Sequence, residues 1–152
     1  YSTFKHSYER ELNKPVYHMV EFLREELKEK KIELKGEIKK RVTYHDPCHL
    51  GRYFGIYDAP RELISMLPGI EFVEMERIRE RSWCCGAGGG VRSGNPELAF
   101  NTALERIREA EYYGAEWLLT ACPFCEQNLS EASKSKDGPA VKDLLVLFSE
   151  LI

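Results

Sequence analysis

The chain carries 152 residues, 43% of them hydrophobic and 31% charged, with a formal net charge of −3. That length suits one domain with its own core and would crowd two. The composition excludes a disordered chain, and no apolar run approaches the roughly 18–20 residues of a membrane span. A mildly acidic chain of mixed charge argues against a nucleic-acid partner.

In chain order, Val16–His18 reads as extended and leads into a predicted helix from Met19 to Lys31. Met19, Phe22, Leu23 and Leu27 fall there at helical spacing, with Glu26 and Lys30 paired on the wet face. Residues 33–40 are charged, contain Gly36, and read as a surface connection. Arg41–Tyr44 is a predicted strand ended by His45-Asp46-Pro47-Cys48. Asp58 is placed to cap a helix running to Leu67, with Pro60 in its first turn and Pro68-Gly69 as its stop.

Ile70–Met75 alternates as a strand would, and Cys84–Gly90 is a loop by composition. Asn95-Pro96-Glu97 opens the clearest helix, with Phe100, Ala103, Leu104, Ile107 and Ala110 as its apolar stripe and Gly114 as its end. Trp117–Ala121 is a predicted buried strand, after which Cys122 and Pro123 stand as cap and first position of the next helix. A last strand–helix pair starts near Val141. This alternation predicts an α/β fold: a small, mostly parallel sheet flanked by helices.

Residues 15–23 echo residues 140–148 without a gap. In that register the residue before Tyr1 matches Cys125. That register predicts a preceding repeat whose own Cys-x-x-Cys ends just before Tyr1, which is not a natural start. Residues 1–152 would then be one cysteine-rich domain, the C-terminal repeat of a longer protein, with 1–15 the tail of the repeat before it.

The five cysteines are Cys48, the pair Cys84-Cys85, and Cys122-x-x-Cys125, separated by 35 and 36 residues. An odd count without a secretory segment points to reduced thiols that bind metal or do redox work. Each group falls at a predicted strand end or loop start, so the topology would gather them at the carboxyl edge of the strands. Five thiols exceed the four ligands of tetrahedral zinc and suit an iron–sulfur cluster; zinc stays open as a structural metal on four of them. Cys122 and Cys125 would lie in a helix's first turn, which lowers thiol pKa values. The run containing Gly86, Gly88 and Gly89 can turn backbone N–H groups toward sulfur. It is neither a dinucleotide fingerprint, since position 91 is Val91, nor a P-loop, since no Gly-Lys-Ser/Thr follows.

At three motifs the chain resembles a known family: His45-Asp46-Pro47-Cys48-His49-Leu50-Gly51-Arg52, Trp83-Cys84-Cys85-Gly86-Ala87-Gly88-Gly89 and Ala121-Cys122-Pro123-Phe124-Cys125. Tyr57-Asp58-Ala59-Pro60-Arg61 is similar as well. The family is the cysteine-rich "CCG" domain of heterodisulfide-reductase-like iron–sulfur oxidoreductases, and the resemblance runs from Val16 to Ile152. Its members include catalytic subunits that reduce the coenzyme M–coenzyme B heterodisulfide and iron–sulfur subunits of glycolate and lactate oxidation. The resemblance implies a non-cubane four-iron [4Fe-4S] cluster on Cys48, Cys84, Cys85, Cys122 and Cys125. It also implies a second CCG repeat or domain as partner. A flavin- or ferredoxin-type donor subunit would feed it, and a quinone or cytochrome subunit could tie it to a membrane; the location would otherwise be cytoplasmic.

Around the cysteines, His45 and His49 are candidates to donate to cluster sulfur or to pass a proton to a leaving thiolate. Arg52 and Arg92 are candidates to bind an anionic substrate. Asp46, before Pro47, reads as a turn-former. Three functions follow: an enzyme domain delivering electrons one at a time to a disulfide, an electron relay in a hydroxy-acid or quinone-linked complex, or an interaction domain with structural zinc.

Overall fold

A computed structural model describes residues 1–152. Its strands are β1 (Arg41–Tyr44), β2 (Glu71–Phe72), β3 (Trp117–Thr120) and β4 (Ala140–Asp143). Its α-helices are α1 (Glu9–Leu12), α2 (Met19–Lys28), α3 (Gly51–Phe54), α4 (Asp58–Met66), α5 (Val91–Gly94), α6 (Pro96–Tyr112), α7 (Pro123–Lys134) and α8 (Leu144–Ser149). A π-helical turn over Phe4–Tyr8 precedes α1. No helix is long and apolar enough to cross a membrane.

The strands form one sheet in the order β2-β1-β3-β4, parallel at every pairing, as the alternation of strands and helices predicts. Its two faces bury separate cores. Val42, Tyr44 and Leu119 pack with Val20 and Leu23 of α2, Leu63 and Ile64 of α4, and Leu144, Leu147 and Phe148 of α8. Leu118 packs on the other face with Ala103, Ile107 and Ala110 of α6 and Leu129 and Ala132 of α7. The period of two in a strand makes this division.

The caps follow from composition. Asn95 accepts from the Leu98 N–H and Pro96 opens α6. Asp143 accepts from Leu145 and Val146 at the start of α8. His18 accepts from Val20 at α2 while Glu21 accepts from the His18 N–H. These local bonds satisfy N–H groups that the first turn leaves open.

Several expectations need correction. The Met19 helix stops at Lys28, because Lys30 takes a left-handed conformation (φ 56°). Its buried face is Val20 and Leu23; Met19 and Phe22 stand 54% and 51% exposed. Glu26 pairs with Lys31 instead of Lys30. Asp58 is the first residue of α4 and does not cap it; its carboxylate accepts from Arg79 at 2.7 Å. Ile70–Met75 contributes only two paired residues, and residues 15–18 stay outside the sheet. The short α3 and α5 carry no periodic signal, because four residues are too few to show one.

Candidate metal centre

From β1 the chain leaves through α4 to β2 on one side; from β3 it leaves through α7 to β4 on the other. The connections diverge, and a crevice opens at the carboxyl ends of β1 and β3 where such sheets bind ligands. Cys48 comes from the loop after β1 and Cys122 directly follows Ala121 at the end of β3. Cys125 sits in the first turn of α7, and Cys84-Cys85 arrive in the loop between β2 and α5. All five cysteines line one cleft of about 400 Å³. None is in a disulfide; Cys85 and Cys125 are buried, Cys48 and Cys122 half-buried, and Cys84 exposed at the rim.

Loop geometry is fixed by three buried polar side chains. The pleat of β1 continues one step past its end. His45 donates its N–H to the Leu119 carbonyl (2.8 Å) and turns its ring toward α6, while Asp46 turns toward α4. Asp46, 2% exposed, accepts a two-pronged pair from Arg61 (2.7 and 2.9 Å) and a bond from the Arg79 N–H (2.8 Å). It is therefore an anchor for the Cys48 loop and for the segment leading to Cys84, more than a turn-former. Arg61 also reaches Glu74, so one guanidinium ties α4 to both connections.

Asn128 of α7 donates to the carbonyls of Cys85 (2.7 Å) and Ala99 (3.0 Å), and its oxygen accepts from Arg92 (2.7 Å). Gly86 fills the space so left: φ is +89°, and a Cβ would lie 2.9 Å from Thr102 Cβ with the Ala99 carbonyl nearer still. Only glycine adopts that angle against that wall at no cost. The Gly86 N–H donates to Cys84 Sγ at 3.3 Å.

The sulfurs divide by proton affinity. Cys122 is pushed down to about 6, first by the Cys125 thiol and then by the Cys125 and Phe124 N–H groups at the start of α7, against its burial. Cys85 is lowered by the Cys125 and Cys84 thiols beside it, with His45 and the Ala87 N–H adding to them. Cys84 and Cys125 are raised, because their protons serve these neighbours. Without metal, ionisation is thus favoured at Cys85 and Cys122 over Cys84 and Cys125. That donor set, five soft and unbridged sulfurs on one cleft, fits an iron–sulfur cluster and exceeds what one tetrahedral zinc uses.

The other expected site residues scatter. His49 lines the cleft and also an adjoining cavity of about 290 Å³ that Tyr1, His18 and Leu50 help to line. Gly88 and Gly89 line the cleft, whereas Gly86 is buried behind it. His45 lies behind Cys85, grouped with the Cys85 and Cys125 sulfurs within 4.8 Å, and burial lowers its pKa. Arg52 is exposed on α3 and is not among the cleft residues. Arg92 lines the cleft, but its guanidinium is occupied by Asn128 and Glu131. Trp83 carries Arg77 over its ring at 3.7 Å and lies outside the cleft.

Sequence reasoning missed Arg106, Glu109 and Asn128, and met Arg61 only as the end of a family-like motif without a role. Two signals were available. Arg106 falls between Ala103 and Ala110 on the apolar stripe of α6, and Asn128 follows Cys125 by three residues on the buried face of α7. A polar side chain at a core position must have a buried partner.

Residues 42–130 match the protein family described as the cysteine-rich domain CCG. The chain is 46% identical over 143 residues to a subunit of the dihydromethanophenazine:CoB–CoM heterodisulfide reductase of Methanosarcina mazei, covering 93% of this chain and 35% of that protein. Against the same-named protein of Methanosarcina acetivorans the identity is 45%, with the same coverage. Against a subunit of the fumarate reductase (CoM/CoB) of Methanothermobacter marburgensis it is 36% over 149 residues, 96% of this chain and 29% of that protein. The chain thus spans about a third of the length of these relatives.

Proposed function

This chain belongs to the CCG cysteine-rich domain family, and from that membership we propose that it is the cluster-bearing domain of a heterodisulfide-reductase-like oxidoreductase. The observation that carries the reading is the convergence of Cys48, Cys84, Cys85, Cys122 and Cys125 on one cleft at the switch point of the sheet. These five would hold a non-cubane [4Fe-4S] cluster, which when bound supplies one-electron reduction at sulfur-ligated iron. The overall reaction is reduction of a mixed disulfide of the coenzyme M–coenzyme B type. The S–S bond breaks, two electrons enter one at a time, and two protons yield two thiols.

The chain's own residues serve that chemistry in distinct ways. His49 stands between the cleft and the adjoining cavity, where its ring can hand a proton to a departing thiolate. The Gly88–Gly90 backbone leaves one wall without side chains, so a substrate sulfur can approach. Burial of Cys85 and Cys125 keeps water from the inner side. Electrons would come from a flavin- or ferredoxin-type subunit. The neighbouring domain would be a second CCG repeat, and residues 1–15 the end of that repeat. His18 and Asp143, which the internal echo aligns, both cap the helix that follows them. The domain itself would be cytoplasmic, with any membrane tie supplied by a quinone or cytochrome partner.

The exposed Cys84 at the rim favours a second reading, an electron relay whose cluster edge a partner can reach. One experiment addresses both. Protein prepared without oxygen is assayed for iron, acid-labile sulfide and zinc, then examined by EPR after oxidation. About four irons and four sulfides per chain, with a signal that shifts on adding a thiol or disulfide, support the catalytic domain. A signal indifferent to both supports the relay, and zinc without iron sinks the two together.

A further inference from the structure

Of the two histidines flanking Cys48, one is absent from the cleft wall. His45 is 1% exposed and packs between the sheet and α6. There Arg106 Nε donates to His45 Nδ1 at 3.3 Å. A guanidinium can only donate, so Nδ1 presents its lone pair and the ring proton lies on Nε2. With Nδ1 taken by Arg106, the Nε2 edge is the one left for the Cys85 and Cys125 sulfurs, which lie with a His45 ring nitrogen within 4.8 Å of one another. Arg106 cannot turn away. It is fully buried, and its other nitrogens donate to Glu109 (2.7 Å), the Arg77 carbonyl (2.9 Å) and the Tyr44 carbonyl (3.4 Å). The result is a directed arrangement: Arg106 donates to His45 Nδ1, and the opposite, proton-bearing edge of the ring is left for the Cys85 side, in the protein interior behind the cleft.

We propose that His45 is a positioning residue whose Nε2–H, aimed by Arg106, donates to the Cys85 sulfur and raises the reduction potential of a cluster held there. The proposal rests on the reading of Cys85 as a cluster ligand. An N–H pointed at a ligand sulfur stabilises the reduced, more negative state more than the oxidised one, and such donors are a recognised lever on cluster potential. The same geometry makes His45 a donor to a ligand rather than a ligand itself, since one ring nitrogen is occupied by Arg106 and the other carries the proton.

The test uses the whole chain loaded with iron and sulfide without oxygen, in wild-type, His45→Leu, His45→Gln and Arg106→Lys forms. Iron per chain is counted and the midpoint potential is read by EPR-monitored redox titration. His45→Leu shifts the reduction equilibrium about tenfold toward the oxidised state, about 59 mV for a one-electron couple, at full iron content. His45→Gln keeps an amide N–H within reach of the sulfur and recovers part of the shift. Arg106→Lys keeps the charge beside Glu109 but loses the Nε–H on Nδ1, and falls between wild type and His45→Leu. Unchanged potentials at full iron overturn the proposal. So does loss of iron in both His45 variants with none in Arg106→Lys, which marks His45 as a ligand. Nitrogen NMR of histidine-labelled, metal-free protein reads the tautomer without any cluster. A proton on Nε2 in wild type supports the proposal, and a proton on Nδ1 overturns it. A wild type that carries the Nε2 proton but takes up no iron fails the cluster reading, and the claim on potential falls with it.

Discussion

Gly86→Ala strikes the point where the Cys84-Cys85 loop lies against α6. The new Cβ would lie 2.9 Å from Thr102 Cβ and 3.1 Å from the Ala99 carbonyl carbon, with its oxygen nearer still. The first contact falls about 0.6 Å short of the ~3.5 Å at which carbon atoms ordinarily meet. Two of these neighbours are backbone atoms of a 17-residue helix, which cannot rotate away. The left-handed angle of +89° adds a cost of about 1–2 kcal/mol for a residue with a Cβ, and overpacking about 1–3 kcal/mol.

A loss of about 2–5 kcal/mol is therefore expected, a large share of the ~5–15 kcal/mol typical of a domain. At about 3 kcal/mol the melting temperature falls by roughly 6–12 °C for a chain of this size. Relief requires the loop to leave α6, which breaks the double clamp of Asn128 on the Cys85 and Ala99 carbonyls and displaces Cys85. Iron content should fall with stability. The assay is thermal and urea unfolding of the metal-free protein together with iron per chain after anaerobic loading, set beside Gly88→Ala. Gly88 has open space around its Cβ position and no positive φ, so its alanine variant should stay within ~0.5 kcal/mol of wild type. A Gly86→Ala protein that is equally stable and fully loaded refutes the reasoning.

Other expectations follow from the same contacts. Arg61→Met leaves the buried Asp46 carboxylate without its two-pronged partner and should cost about 3–5 kcal/mol in urea unfolding; Arg61→Lys should recover little, since one ammonium cannot serve both Asp46 and Glu74. Asn128→Leu removes the donor from two buried carbonyls and should cost about 2–4 kcal/mol while lowering iron uptake. In metal-free protein the alkylation rate of Cys122 should rise through about pH 6, where its depressed pKa lies. Because that folded value is below the ~8.5 of an unfolded thiol, the associated stabilisation is complete above that pH and is lost as pH falls to about 6. Single Cys→Ser changes at all five positions should each lower iron content, whereas a site using four sulfurs for zinc would tolerate one of them.

The elements that could be read in advance are those with local causes. The stripe of α6, the Asn95-Pro96 start and the Cys122-Pro123 start reappear at the expected residues because helical periodicity and capping involve neighbours within a turn. The five cysteines were legible as a group because soft ligands in an odd number have few other uses, and strand-end positions in a parallel sheet share one edge. Residue type and spacing therefore determined the class of fold and the side of the sheet on which the five cysteines gather. What spacing could not supply was direction. Whether His45 faces the cleft or the interior depends on one further step of the β1 pleat, and whether Arg92 is free depends on Asn128 and Glu131, 36 and 39 residues away. The partners of Asp46 and His45, Arg61 on α4 and Arg106 on α6, lie on opposite faces of the sheet. Only packing brings them to adjacent residues, because a buried charge is satisfied by whatever the tertiary structure places beside it.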